Sequence, residues 1–189
     1  MRYHPILRML VALGILLTSA LLPPHPSYAQ TGPGPICGAS IQFVSGAIST
    51  NTTWSSVFIY ILQGDVTINT GVTLTIQPGT VIKAGLNESI FVHGTFNANG
   101  TLQNPIYFTS ENDDTICGDT NGDGTTTIPA ANDWGVIEFE DGSNNTSSLT
   151  RAVLRYGGYG NPYGNGAIFN SPYAPRKSGI CYNLNYEKR

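Results

Sequence analysis

The chain has 189 residues, a formal net charge of −3 and charged side chains at only 11%. That balance supplies no basic surface for nucleic acid, and 22 glycines with 12 prolines suit short strands and turns better than helices. One domain is the size expected.

The N-terminus reads as an export signal over residues 1–29. Arg2 and Arg8 charge its start, Met9 to Leu22 is apolar, and Ser27-Tyr28-Ala29 offers the small residues that a signal peptidase reads. The apolar run is interrupted by Gly14, stops at Pro23-Pro24, and falls short of the roughly 20 residues that cross a bilayer. Cleavage after Ala29 removes 29 of 189 residues and leaves 160; losing two arginines takes the charge from −3 to −5. A secreted or cell-surface protein with no membrane attachment after cleavage is the expectation. Residues 30–35 form a Gly/Pro linker.

Residues 36–62 read as an N-terminal cap with the first strands, one over 41–48 and an apolar run over 57–62. Trp54 is either a lid over an open core end or an ordinary core tryptophan.

From Gly64 to Thr109 one pattern occurs twice. Val66 and Ile68, Leu74 and Ile76, Ile82 and Ala84 are answered by Ile90 and Val92, Phe96 and Ala98, Ile106 and Phe108, at offsets of 24, 22 and 24. Polar neighbours such as Thr67, Thr73, Thr75 and Asn97 alternate with them, and Gly71, Gly79, Gly94 and Gly100 sit between the strands. A fixed period built from short strands is the mark of a solenoid. The expectation is an all-β parallel β-helix of about three coils over residues 63–170, with equivalent inward residues stacked about 4.8 Å apart.

A loop over 110–133 interrupts the rhythm, since Ile90 is answered only by Ile137, 47 residues on. The third coil continues through Phe139, Ala152, Leu154 and Tyr156, with a last strand at 167–169. Residues 171–189 read as an irregular tail without a cap, which predicts self-association through the last coil.

Several of these phrases resemble one family. Gly71-Val72-Thr73-Leu74-Thr75-Ile76-Gln77-Pro78-Gly79-Thr80-Val81-Ile82-Lys83, Asn104-Pro105-Ile106-Tyr107-Phe108, Asp133-Trp134-Gly135 and Arg155-Tyr156-Gly157-Gly158 are similar to the opening coils of secreted bacterial parallel β-helix proteins of the pectin-lyase-like fold. The resemblance implies a right-handed coil, in line with the bias of parallel crossovers. It also implies a protein of more coils, of which this chain would be the N-terminal portion.

Candidate chemistry is concentrated in the insertion. Asp119-Thr120-Asn121-Gly122-Asp123-Gly124 matches the first half of an EF-hand loop, so Asp119, Asn121 and Asp123 are candidate Ca²⁺ ligands, with a main-chain oxygen from Thr125 and a carboxylate from Asp133, Asp113 or Asp114. Position 12 is Ala130, which lacks the usual glutamate, and a metal-free turn is the competing reading. Three cysteines leave at least one outside any intramolecular pair; Cys37 with Cys117 is the preferred disulfide, and three unlinked thiols the alternative.

After signal removal His93 is the only histidine, which excludes histidine-based metal chemistry. Given the resemblance, Asp113 and Asp114 could act as paired carboxylates and Arg151 or Arg155 could assist a lyase. Tyr107, Tyr159 and Tyr163 are outward aromatics that could stack on sugars, or plain exposed tyrosines. The favoured function is a non-enzymatic exported module, structural or adhesive, that contacts a polysaccharide or cell-surface glycan. The alternatives are a polysaccharide lyase or glycoside hydrolase, or a truncated fragment of one.

Overall fold

The computed structural model of the chain describes residues 34–38, 40–144, 146–161, 167–170 and 182–187. The export signal, the first part of the linker and Tyr163 lie outside the described residues. The strands are β1 (Ser40–Ile48), β2 (Thr52–Trp54), β3 (Phe58–Ile68), β4 (Thr73–Ile76), β5 (Val81–Ala84), β6 (Ile90–Val92), β7 (Thr95–Asn99), β8 (Ile106–Ser110), β9 (Ile137–Phe139), β10 (Ser148–Arg155), β11 (Ile168–Asn170) and β12 (Tyr182–Glu187). No helix is among the described residues, so none is present there to cross a membrane.

Each strand pairing is parallel, and the chain forms a β-solenoid of about three turns with three faces. Face A stacks the first half of β1, then the first half of β3, β5, β8 and the second half of β10. Face B stacks the second halves of β1 and β3 with β6, β9 and β11. Face C stacks β2, β4, β7 and the first half of β10.

Period-two alternation turns one side of each strand into the coil, and all twelve residues expected inward belong to a single buried cluster. They form ladders: Val66, Ile90 and Ile137 on face B, and Trp54, Ile76, Ala98 and Leu149 on face C. Three phenylalanines, one from each face, meet in the middle. Phe96 lies 6.3 Å from Phe108 and 6.1 Å from Phe139, ring centre to ring centre. Trp54 belongs to this core and stacks on Tyr60 at 4.8 Å.

Two expectations need correction. Ile82 pairs with Phe108, not Ile106, because the corner between β7 and β8 is longer than that between β4 and β5. The difference is two residues, so every side chain keeps its face. Ala152 and Leu154 stack on Ile106 and Phe108 and complete the third coil on face A, as expected, and Leu149, stacked on Ala98, is that coil's inward residue on face C. Finally, the tail is not wholly irregular: β12 runs parallel to β10, and its Tyr-Asn-Leu-Asn-Tyr-Glu alternation carried the same period-two signal.

Because Phe96 is fully buried where the three faces converge, Phe96→Ala should cost about 3 to 5 kcal/mol. Thr75→Ala on the outer side of face C should stay within about 0.5 kcal/mol. Chemical unfolding of the two variants beside the parent checks this; equal losses would show that the phenylalanine cluster does not centre the core.

Candidate functional site

Outward positions of a solenoid are normally polar, yet face A carries Ile59, Ile61, Val81 and Tyr107 on its outer side. The insertion between β8 and β9 covers them: Ile116 joins Ile59, Ile61 and Val81 in a second buried cluster, with Tyr107 and Cys117 packed against it. A strap of residues 34–38 runs along the corner that leads into this face. Gly34 N–H donates to the Gln103 carbonyl at 3.1 Å and Ile36 N–H to the Gly79 carbonyl at 2.9 Å. The structure joins strap to insertion by a disulfide between Cys37 and Cys117, with Cα atoms 5.2 Å apart at a sequence separation of 80. Closing so long a loop removes unfolded-state entropy worth about 4 to 5 kcal/mol in the chain-entropy description.

Under the insertion lies a polar lock. Lys83 points outward from β5, is 0% exposed, and its Nζ donates to the carbonyl oxygens of Asp113 at 3.0 Å and Gly118 at 2.8 Å. Asp113 is equally buried. Its Oδ2 accepts from Thr109 Oγ1 at 2.6 Å and from Arg155 at 3.4 Å, while Oδ1 accepts from the hydroxyl and N–H of Thr115. Burial pushes the Lys83 ammonium below its ordinary value of 10.5, opposed by the carboxylates of Asp113, Asp114, Asp119 and Glu111.

The two ends of the insertion are tied at its mouth. Ser110 occupies an inward ladder position beside Ala84, and its hydroxyl donates to Asp133 Oδ2 at 2.8 Å; that oxygen also accepts from Asn112 and from Ala130 N–H. Next to it Trp134 is buried, and its Nε1 donates to the Arg155 carbonyl at 2.6 Å. A Cβ at Gly157 would lie 2.6 Å from that indole, so only glycine fits. The Asp-Trp-Gly and Arg-Tyr-Gly-Gly phrases thus meet at one corner.

The candidate Ca²⁺ residues are distributed between two places. Asp119, Asn121 and Asp123 share one turn, in which Asp119 accepts from the N–H groups of Gly122 and Gly124 at 2.7 and 2.8 Å, and Asp123 from the Thr127 hydroxyl and from Thr126 N–H. Thr125 is exposed, and Asp133 stays at the mouth. Asn112 links the two, bonding Asn121 and Thr127 on one side and Asp133 on the other. Among the described residues no group of three or more His, Cys, Asp or Glu is placed to hold a metal.

The remaining candidates separate. Tyr107 is half-buried under the insertion, whereas Tyr159 is 51% exposed at the Trp134 corner. Asp113 and Asp114 present no joint carboxylate pair to solvent, since Asp113 is sealed in the lock and Asp114 Oδ1 is buried without a hydrogen-bond partner. Arg151 is exposed at the bend of β10 with φ 50°. His93 faces Glu140 at 3.6 Å. Sequence reasoning missed Lys83 as a buried group; the apolar outward residues beside it, Ile61 and Val81, were the available sign that face A is covered.

Lys83 gives a testable pH dependence. Between its lowered folded value and 10.5 the unfolded chain binds the additional proton, so stability should rise with pH through that window. Lys83→Met leaves the carbonyls of Asp113 and Gly118 unsatisfied and should cost about 2 to 4 kcal/mol while flattening the alkaline rise. Urea unfolding of both proteins at neutral and alkaline pH reads the two effects, and a parent curve falling with pH there would contradict this account.

Comparison with curated proteins and with solved structures gave no match. Residues 46–168, more than half of the chain, match the family described as the pectate-lyase like beta helix domain. With parallel coils over the same stretch, the chain belongs to the pectate-lyase-like β-helix family.

Proposed function

We propose that the chain is an exported, non-enzymatic β-solenoid module, a structural and adhesive element of the cell surface or extracellular space that holds a glycan. One observation carries the non-enzymatic part. The buried carboxylate and cations that a polysaccharide lyase or hydrolase could use, Asp113 with Arg155 and Lys83, hold the insertion against face A, and Asp113 is closed to substrate. Fold alone does not carry catalysis.

For glycan contact the available surface is the outer side of face C. Thr53, Thr75, Asn97 and Ser148 lie in one register line and Thr73 with Thr95 in another, an uncharged array of hydroxyl and amide groups. Such groups match the donors and acceptors of a neutral polysaccharide. Tyr159 adds an exposed ring at another corner. The mature protein should co-sediment with an insoluble neutral polysaccharide, lose most of that binding in a Thr75→Glu, Asn97→Glu double variant, and release no product from neutral or acidic polymers. Product formation would overturn the non-enzymatic reading, and undiminished binding by the double variant would move the contact elsewhere.

A second proposal concerns Ca²⁺ in the insertion. It is favoured by two buried oxygens without hydrogen-bond partners, Asp114 Oδ1 and Thr120 Oγ1, close in sequence to the Asp119–Asp123 turn. The turn's own carboxylates accept N–H bonds from their neighbours, so an affinity in the weak extracellular range is expected. Titration calorimetry should show heat with Ca²⁺ that Asp123→Asn abolishes. No heat in the parent would remove the proposal.

A further inference from the structure

The two ends of the solenoid differ from its flanks in having strands with one neighbour only. Among the described residues β1 pairs with β3 alone and β2 with β4 alone at one end, and β12 with β10 alone and β11 with β9 alone at the other. An unprotected edge is a template for another strand, and soluble proteins blunt such edges with lysine, proline or a covering segment. β1 has none of these residues: Ser-Ile-Gln-Phe-Val-Ser-Gly-Ala-Ile is nine residues long and uncharged.

The core is also open there. A pocket of about 370 Å³ is lined by Gln42, Val44, Ile48, Thr52, Trp54 and Val66. Beside it Ile41 and Phe43 extend the outer line of Ile59 and Ile61 on face A, but they are 41% and 57% exposed where their neighbours are buried. The insertion that buries Ile59 and Ile61 leaves Ile41 and Phe43 open, so this end of the solenoid carries exposed apolar side chains beside its open core.

We propose that this end is occupied by the β11–β12 end of a second copy of the chain, so that the molecules stack head to tail. The occupant follows from continuity with the interface between coils. Every rung among the described residues pairs in parallel, and the opposite end of another copy offers parallel strands for faces A, B and C together. Two β1 ends meeting about a two-fold axis would run antiparallel and break that register. The uncharged β1 edge opposes no charge to its partner. Because the two contacting surfaces are different, the interface does not close on itself and the product is an open chain of copies.

The test uses the mature chain with Cys181→Ser, to keep the odd thiol from cross-linking, and reads mass by sedimentation velocity. The parent should form a concentration-dependent ladder of oligomers. Gln42→Lys changes an exposed residue at the β1 end, and Leu184→Lys changes the residue that pairs with Ala152 at the β12 end. Each variant alone should be monomeric, and an equal mixture should form a one-to-one dimer and nothing larger, since each supplies the end that the other lacks. Asn185→Lys, in register with Val153, repeats the β12 arm should Leu184→Lys fail to keep the parent's melting temperature. A monomeric parent at all concentrations overturns the proposal. So does a Leu184→Lys variant that dimerises alone, which would mean pairing of β1 with β1.

Discussion

A single coil of this protein cannot bury its own apolar residues, and that constraint governs the rest of the structure. Each coil gives only a few strand residues to a face, and their backbone groups find partners only in the coil before and after, so burial and hydrogen bonding are satisfied together or not at all. The ladders that result place like above like. Phe96, Phe108 and Phe139 then close the centre by meeting from three directions, at the level where the insertion leaves the coil.

The same constraint explains how an insertion of this size is tolerated. It departs after β8 and returns before β9, so neither strand loses its rung partners. What remains is to fix a long loop to a surface, and the chain does so with an apolar patch, a disulfide and a buried polar lock. Burying Lys83 without a carboxylate on its ammonium is costly, and two main-chain carbonyls in fixed positions offset that cost only while the loop is seated. The lock therefore specifies one seating of the loop more than it adds net stability.

Much of the fold was legible because the signal is local and repeated. Val66 with Ile90 and Leu74 with Phe96 could be aligned by counting, and the interruption between Ile90 and Ile137 marked the insertion at its true position. Counting failed at the corner before β8, where additional residues shift Ile82 onto Phe108 without changing face. It failed again in the tail, where Tyr182 to Glu187 alternates as a strand does but stands apart from any repeat partner. The candidate site was less legible. Asp113, Lys83 and Arg155 meet across 30 and 42 residues of sequence, and no spacing rule joins them.

By itself the sequence determined strand content, the inward side of each strand, and a solenoid as the architecture, because period-two burial and a coil-length repeat are written into neighbouring residues. Only the tertiary structure decided which outward positions are covered, that Asp113 and Lys83 serve the insertion from inside, and that Asp133 closes its mouth. Those outcomes depend on where a non-repeating loop comes to rest, and its resting place is set by contacts between residues far apart in the chain, which leave no periodic trace.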